Sequence, residues 1–251
     1  MVYFSRSRFY ISLLVPITFV LAAAVQAPPP GSYFNFSGWT LQTPFPKGTG
    51  IQEIAMPELA TYSSSCFYTD TSTGTSAVFF APENGAHTQN SQFPRSELRE
   101  LKDFDIDSKG GTHVANATVR VLTDGTQHAI TIGQLHGILA GGGSCSIIIE
   151  LEWEAGDIVA HLRDKACKGV KFTVGSGYKF GDPISYQMIA VGNTVQVITD
   201  SGSMKPYSYS WFEGTSYSAY FKAGSYLQSS GTSSSIGGTV ILDALVTRHS
   251  M

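Results

Sequence analysis

Short apolar segments separated by clusters of turn-forming residues recur along most of the chain, and they constrain its fold more than any other feature. The segments are rich in β-branched and aromatic residues and are bounded by Gly, Ser, Asp or Asn. Examples are "SAVFFAP", "THVANATVRVL", "HAITIGQLHG", "SIIIELEWE", "VKFTVG" and "TVILDALVTRH". Many short strands with turns between them predict an all-β fold, a β-jelly roll or sandwich of two antiparallel sheets.

The beginning of the chain has the layout of a secretory signal peptide. Two arginines precede the apolar run "FYISLLVPITFVLAAA", and small residues follow at "AVQA". We expect residues 1–27 to be removed, and residues 28–251 to form one domain of a secreted, extracellular protein with no membrane contact. Two glycosylation sequons, "NFS" at Asn35 and "NAT" at Asn116, agree with that expectation.

The charge balance limits the classes of partner. The chain has 16 Lys and Arg against 19 Asp and Glu, for a net charge of −3, so nothing points to nucleic acid. A local basic groove can still bind an acidic polymer, whatever the overall sign. We expect a monomer.

Three cysteines in a secreted chain predict one disulfide and one leftover thiol. The stretch from Cys145 to Cys167 has the pattern of a hairpin. A three-residue loop at residues 155–157 would place these two cysteines opposite each other and leave Cys66 free. A shift of one residue would send them to opposite faces.

The stretch "FPRSELREL" concentrates charge in a chain that otherwise has little. A helix would set Arg95 and Arg99 four residues apart on one side, where like charges repel. In a strand, Arg95, Glu97 and Arg99 share one face while the residues between them take the other. One face would then carry two cations that flank an anion.

Two further strands have an unusual polar face. In "AITIGQLHG", Gln134 and His136 are two residues apart, and alternation puts them on the face of Ile130 and Ile132. In "YFKAGSYLQ", one face carries Tyr220, Lys222, Gly224, Tyr226 and Gln228. Three such strands side by side would form a concave polar floor for a substrate.

The stretches "RSELRE", "QLH" and "YFKAGSYLQ" resemble, in order, the three signature motifs of the alginate lyases of polysaccharide lyase family seven. The similarity extends from about Trp39 to His249, nearly the whole mature chain. The family's jelly-roll fold agrees with the strand pattern. The resemblance implies a lyase that cleaves alginate, an acidic polysaccharide, by β-elimination and needs no metal or cofactor.

The family pattern also implies roles for individual residues. Arg95 and Gln134 would hold the uronate carboxylate and stabilise its enolate-like form. His136 would be a neutral base or its electrostatic helper, and Tyr226 would protonate the leaving oxygen. The motif positions that would orient these groups or bind substrate are Glu97, Arg99, Lys222, Tyr220 and Gln228.

The stretch "ELEWE" suggests a competing hypothesis, because Glu150, Glu152 and Glu154 alternate onto one face and glycosidases use paired carboxylates. An acidic row that faces solvent beside a turn is the preferred interpretation. The remaining histidines are interpreted as structural or surface residues: His87, His113, His128, His161 and His249.

The sequence leaves the substrate and the role of the polar strands open. Taken alone, "RSELRE" is typical of a solvated edge strand. The same chemistry could act on glucuronan, and a carbohydrate-binding module would need no catalytic set. The middle position of the family's Q-x-H motif is usually Ile or Val, whereas here it is Leu135. Block preference is therefore open, and we favour mannuronate-containing chains and endolytic cleavage.

Overall fold

The computed structural model describes residues 27–106, 111–139, 146–163, 168–208 and 217–250. Within these ranges the chain forms sixteen strands and two short 3₁₀ helices, Pro30–Ser32 and Glu58–Ala60. The strands are β1 (Trp39–Lys47), β2 (Gly50–Ile54), β3 (Phe67–Thr69), β4 (Ala77–Pro82), β5 (Arg95–Glu100), β6 (Phe104–Ile106), β7 (Thr112–Asp124), β8 (Ala129–Leu139), β9 (Ile147–Glu154), β10 (Asp157–Arg163), β11 (Gly169–Gly175), β12 (Pro183–Val191), β13 (Thr194–Thr199), β14 (Tyr207–Ser208), β15 (Tyr217–Leu227) and β16 (Gly237–Ser250).

The strands form two antiparallel sheets. One has the order β11-β10-β9-β8-β15-β5-β1-β2, and β6 pairs with β15 beside that path. The other has the order β14-β13-β12-β7-β16-β4-β3. The predicted all-β jelly-roll sandwich is confirmed. The three polar strands of the sequence, β5, β15 and β8, are neighbours in the middle of the larger sheet.

The core lies between the two sheets. The larger sheet contributes Leu98, Leu135, Leu151 and Phe221, and the smaller one contributes Val119, Met188, Val240 and Leu242; all eight are buried. Alternation then turns the intervening side chains of the larger sheet away from the core. We call that second face of the larger sheet the polar face.

The pattern of alternation changes within β8. The pairing with β9 shifts register between Thr131 and Gly133, so Ile132 is an extra residue opposite the partner strand. Ile130 and Ile132 therefore lie in the core, and Thr131 lies on the polar face, where its Oγ1 accepts a hydrogen bond from Gln228 Nε2 at 2.9 Å. The prediction that both isoleucines share the face of the "QLH" pair is wrong.

The β9–β10 hairpin also differs from the prediction. Glu154 pairs with Asp157, so the loop is the two residues Ala155 and Gly156, both at positive φ (50° and 99°). Such a two-residue loop matches the twist of the strands that flank it. The predicted three-residue loop is wrong, and with it the register argument for a Cys145–Cys167 disulfide.

Several other predictions concern residues with little or no structural description. Residues 1–26, and with them almost all of the predicted leader, lie outside the described ranges, as do Cys145 and Cys167. In the described ranges, Cys66 is a buried free thiol. No helix found there combines the length and the apolar character needed to cross a bilayer.

The two sequons occupy different settings. Asn35 is exposed in the loop before β1, and its Oδ1 accepts a hydrogen bond from the backbone N–H of Ser37 at 3.0 Å. Asn116 lies within β7, and its Oδ1 accepts a hydrogen bond from Gln187 Nε2 at 2.6 Å.

Candidate active site

Backbone pairing brings the three polar strands into register. Lys222 of β15 lies opposite Arg99 of β5 on one side and Gln134 of β8 on the other. Two rows further along the same face of β15, after Gly224, Tyr226 lies opposite Arg95. Because directly opposed residues on one face of a sheet contact each other, this pairing predicts a cluster on the polar face.

Glu97 is the centre of that cluster, and it is completely buried. Its Oε1 accepts a hydrogen bond from Gln134 Nε2 at 2.5 Å. Its Oε2 pairs with Lys222 Nζ and lies 3.4 Å from Arg95 Nη1. One carboxylate therefore orients an amide and two cations, which agrees with the expected positioning role of Glu97.

Lys222 is almost completely buried, with 3% of its surface exposed. Burial, followed by repulsion from Arg95, lowers the pKa of Lys222 to about 8, although the Glu97 carboxylate opposes that shift. The family pattern allows two roles for Lys222, orienting the other site residues or binding a uronate. Its buried contacts with Glu97 favour the first role.

Each arginine of β5 stacks on a tyrosine of β15. The Arg95 guanidinium carbon lies 3.9 Å from the ring centroid of Tyr226, and that of Arg99 lies 3.9 Å from the centroid of Tyr220. Such cation–π contacts hold each guanidinium group over the face of its ring. Arg99 also donates hydrogen bonds to the Glu100 carbonyl at 2.8 Å and to Asp103 Oδ1 at 3.1 Å.

The hydroxyl of Tyr226 lies 3.1 Å from Ser91 Oγ. Burial raises the pKa of Tyr226, and the neighbouring Arg95 charge opposes that rise. Arg95 has a buried Nε without a hydrogen-bond partner in the described ranges. An unpaired donor beside a tyrosine suits a site that is completed by an anionic ligand.

His136 stacks on Tyr220, with ring centroids 5.2 Å apart, and its Nδ1 lies 3.0 Å from the Tyr220 hydroxyl. Burial, together with the charges of Lys222, Arg95 and Arg99, lowers the pKa of His136 to about 3. The imidazole is therefore neutral at ordinary pH, as expected for a buried imidazole among cations.

Gly224 allows β15 to approach β5 closely. Its φ is 144°, and a Cβ at this position would lie 2.7 Å from the Ser96 carbonyl oxygen. Only glycine adopts this conformation without strain. The glycine of the "YFKAGSYLQ" motif thus places Lys222 and Tyr226 against Arg99 and Arg95.

The polar face continues onto β9 and β10, where the sequence pattern predicts an acidic row in solvent. That expectation is wrong, because Glu150 and Glu152 are buried. Glu150 pairs with Arg163 at 3.1 Å, and Glu154 lies 2.6 Å from His161 Nε2. Burial and the neighbouring carboxylates raise the pKa of Glu152 to about 8.

His161 and Arg163 were not among the predicted site residues. The available signal was the alternation of "DIVAHLR", which puts both of them on one face of a strand that forms a hairpin with "ELEWE". Gln228 was among the predicted site residues. It lines the same cavity as Glu152 and His161, and it donates a hydrogen bond to Thr131 on the polar face.

Comparison with known proteins agrees with this geometry. A family model described as "Alginate lyase" matches residues 34–249. A curated alginate lyase of Klebsiella pneumoniae is 36% identical over 107 residues, which cover 40% of this chain and 32% of the relative. The matching segment thus spans about a third of that relative's length.

Solved structures match over most of the chain. The crystal structure of alginate lyase A1-II', a member of polysaccharide lyase family seven, is 26% identical with a TM-score of 0.76, covering 88% of this chain and 99% of its own. An alginate lyase from Pseudomonas aeruginosa is also 26% identical with a TM-score of 0.76, covering 86% and 100%. Since the family model spans nearly all of the described residues and the predicted motifs lie on adjoining strands, the chain belongs to the alginate lyases of polysaccharide lyase family seven.

Proposed function

We propose that this protein cleaves alginate by β-elimination at the cluster around Glu97. The observation that carries the proposal is the convergence of Arg95, Gln134, His136 and Tyr226 on one polar face, around a single buried carboxylate. The set combines donors for a carboxylate, a neutral imidazole and a phenol, which are the groups that β-elimination from a uronate requires.

The reaction begins at the C5 proton, which is only weakly acidic although it is α to the carboxylate. Arg95, with its unpaired Nε, and Gln134 bind that carboxylate and stabilise the enolate-like charge that develops as the proton leaves. Removal of the proton leaves an electron pair on C5. That pair forms the C4–C5 double bond as the bond from C4 to the leaving O4 breaks.

Two proton transfers complete the balance. Neutral His136 takes the C5 proton or assists its removal, and the Tyr226 hydroxyl gives a proton to O4. For the uronate epimer whose C5 proton lies on the side of O4, Tyr226 acts as the phenolate, with His136 as its electrostatic helper: the phenolate oxygen accepts the C5 proton and passes that same proton to O4. The products are a new reducing end and a 4,5-unsaturated uronate end.

Relatives support the same pair of residue types. A family-seven enzyme, alginate lyase A1-II', was solved in complex with substrate after one histidine was replaced by asparagine and one tyrosine by phenylalanine. The tyrosine variant alone was solved in complex with product. In this chain His136 and Tyr226 are the histidine and tyrosine of the "QLH" and "YFKAGSYLQ" motifs.

The proposals on secretion, glycosylation, cleavage mode and block preference are based on the sequence. The leader pattern supports secretion, and the two sequons support glycosylation in an extracellular setting. We propose endolytic cleavage by a monomer, with a preference for mannuronate-containing chains. The side chain of Leu135 is fully buried, so this residue acts on block preference through packing against its neighbours.

The test is to incubate the purified protein with polymannuronate, polyguluronate and polyglucuronate. The readout is the ultraviolet absorbance of the new C4–C5 double bond, together with the sizes of the products. A rise with either alginate polymer supports the proposal. A rise with polyglucuronate alone indicates a glucuronan lyase. Binding without a double bond in any polymer indicates a carbohydrate-binding protein and overturns the proposal.

A further inference from the structure

A second group of titratable side chains lies on the polar face, away from the proposed catalytic centre. Glu152 and Glu154 of β9 and His161 of β10 each offer one ligand atom, and these atoms lie within 4.8 Å of one another. A cavity of about 330 Å³ is lined by Glu152 and His161, with Lys171 of β11 and Gln228 at its sides.

Glu152 is the residue in this group that lacks a sufficient partner. Its side chain is 8% exposed and lines the cavity, and within the described ranges it accepts no hydrogen bond. Its partner in an ion pair, among the described residues, would be the imidazole of His161, whose Nε2 lies 3.5 Å away. Buried carboxylates are normally hydrogen-bonded, paired with a cation or bound to a metal. The setting of Glu152 therefore points to a ligand that supplies positive charge.

We propose that Glu152, Glu154 and His161 bind one divalent transition-metal ion, with Zn²⁺ as the best match. Zinc accepts imidazole nitrogen and carboxylate oxygen together, whereas Ca²⁺ and Mg²⁺ prefer oxygen ligands only. The Nε2 atom of His161 already lies 2.6 Å from one Glu154 oxygen and 3.5 Å from one Glu152 oxygen. Tetrahedral zinc with bonds of about 2.0–2.1 Å needs ligand atoms roughly 3.3 Å apart, so only small movements are required.

The two cations nearby differ in how they affect this site. Arg163 is committed to Glu150, with Nη2 3.1 Å from Oε2. Lys171 pairs with Glu154 at 3.0 Å, but its side chain is 62% exposed and lies on the edge strand of the sheet. Lys171 can therefore turn into solvent and leave Glu154 to the metal, as a weak competitor.

The ligands themselves lie on a fixed frame. β9 and β10 pair continuously from Glu154 with Asp157 to Ile149 with Leu162. Side chains on such paired strands hold their spacing better than side chains on loops do. The cavity also reaches Gln228, so a metal here would add positive charge to the polar face beside the residues proposed to bind substrate.

The test is isothermal titration of the full protein with ZnCl₂, with CaCl₂ in parallel and thermal unfolding as a second readout. We expect one Zn²⁺ per chain, a raised Tm and no comparable response to Ca²⁺. Glu152→Gln and His161→Gln should each weaken zinc binding by more than about 100-fold. His128→Gln, at a histidine with a 71% exposed side chain, is the matched control and should bind zinc normally.

Removing the competing lysine gives a result in the opposite direction. Lys171→Ala should bind zinc up to about fivefold more tightly, the effect of losing an exposed ion pair. Lys179→Ala, at another exposed lysine, should change nothing. If Glu152→Gln fails to fold, Glu154→Gln, at a less buried ligand, replaces it and should show the same loss.

Two results would overturn the proposal. One is the absence of saturable zinc binding by the wild-type protein. The other is equal zinc affinity in the wild type and in the glutamate and histidine variants. Both readouts are independent of polysaccharide cleavage, so a failure here leaves the proposed lyase activity untouched.

Discussion

Replacement of Glu97 by glutamine tests the central claim about the site, that one buried carboxylate holds it together. The substitution keeps the shape of the side chain and removes its charge. Lys222, 3% exposed, and Arg95, 7% exposed, would then share a buried site without their anion. Removing one partner of a buried ion pair costs about 3–5 kcal/mol of unfolding free energy.

The contacts narrow that range. The pKa of Lys222 is already about 8, so this lysine can release its proton at small cost near neutral pH. Arg95 cannot do so, because guanidinium groups stay protonated in proteins. We therefore expect a loss of about 3–4 kcal/mol. At about 2–4 °C per kcal/mol for a chain of this size, Tm should fall by roughly 6–16 °C.

The measurements are chemical denaturation, thermal unfolding and steady-state kinetics on alginate. We expect kcat to fall by about 100-fold as Gln134 and the arginines lose their fixed positions. The double variant with Lys222→Met also removes the lysine charge but leaves Arg95 without its anion, so it should recover only a small part of the lost stability and none of the activity. Glu58→Gln, at an exposed carboxylate, is the control. The reasoning is refuted if Glu97→Gln unfolds within about 0.5 kcal/mol of the wild type.

Four further predictions concern the reaction. Tyr226→Phe should lower kcat by about two to four orders of magnitude with little change in stability, whereas Tyr220→Phe should be milder; near-normal turnover by Tyr226→Phe would remove the phenol from the mechanism. Because the pKa of His136 is about 3, kcat/KM should stay constant as the pH is lowered from about 6.5 to about 5. A fall of kcat/KM near pH ~6.5 would contradict a neutral imidazole in this setting. Lys222 loses its charge as pH rises through about 8, so kcat/KM should fall in that range. In Lys222→Arg this alkaline fall of kcat/KM should move to higher pH. If it does not move, the fall is due to another titrating group. Leu135→Val should change the ratio of the rates on polymannuronate and polyguluronate, while the unfolding free energy falls by less than about 1.5 kcal/mol. An unchanged ratio would exclude the packing of Leu135 as the source of block preference.

Alternation of side chains was enough to predict much of the site. In β5 it places Arg95, Glu97 and Arg99 on one face, and in β15 it places Lys222 and Tyr226 there, because both strands keep a regular register with each other. The order of β5, β15 and β8 in the sheet could not follow from alternation, because these strands are far apart in the chain. Only the backbone pairing of the folded chain reveals that order.

Further features depend on local irregularity, which a period of two cannot express. β1 was not predicted, because Pro44 and Pro46 interrupt its pattern, and its pairing with β2 is irregular between Gln42 and Pro46. The bulge at Ile132 inverts the faces of half of β8. The first irregularity comes from two prolines and the second from one extra residue, and the effect of each appears only once the partner strand is known.

The degree of burial of the charged residues on the polar face could not be predicted from the sequence either. A charged strand is usually exposed, so Glu97 at 0% and Lys222 at 3% exposure depend on the neighbours that cover them. The same holds for Glu150 and Glu152, because their neighbours Arg163 and His161 come from the next strand of the hairpin.

The position of β15 between β5 and β8 has a consequence for how the protein folds. Glu97 and Lys222 are more than a hundred residues apart in the chain, yet they form one ion pair in the middle of a sheet. Closing so large a loop is entropically costly, and folds dominated by such distant pairings form slowly. During synthesis, β5 and β8 must wait for almost the whole chain before β15 can join them. Recovery of lyase activity in a refolding experiment would therefore report on this long-range pairing, while spectroscopic signals from the β9–β10 and β12–β13 hairpins would report on local steps.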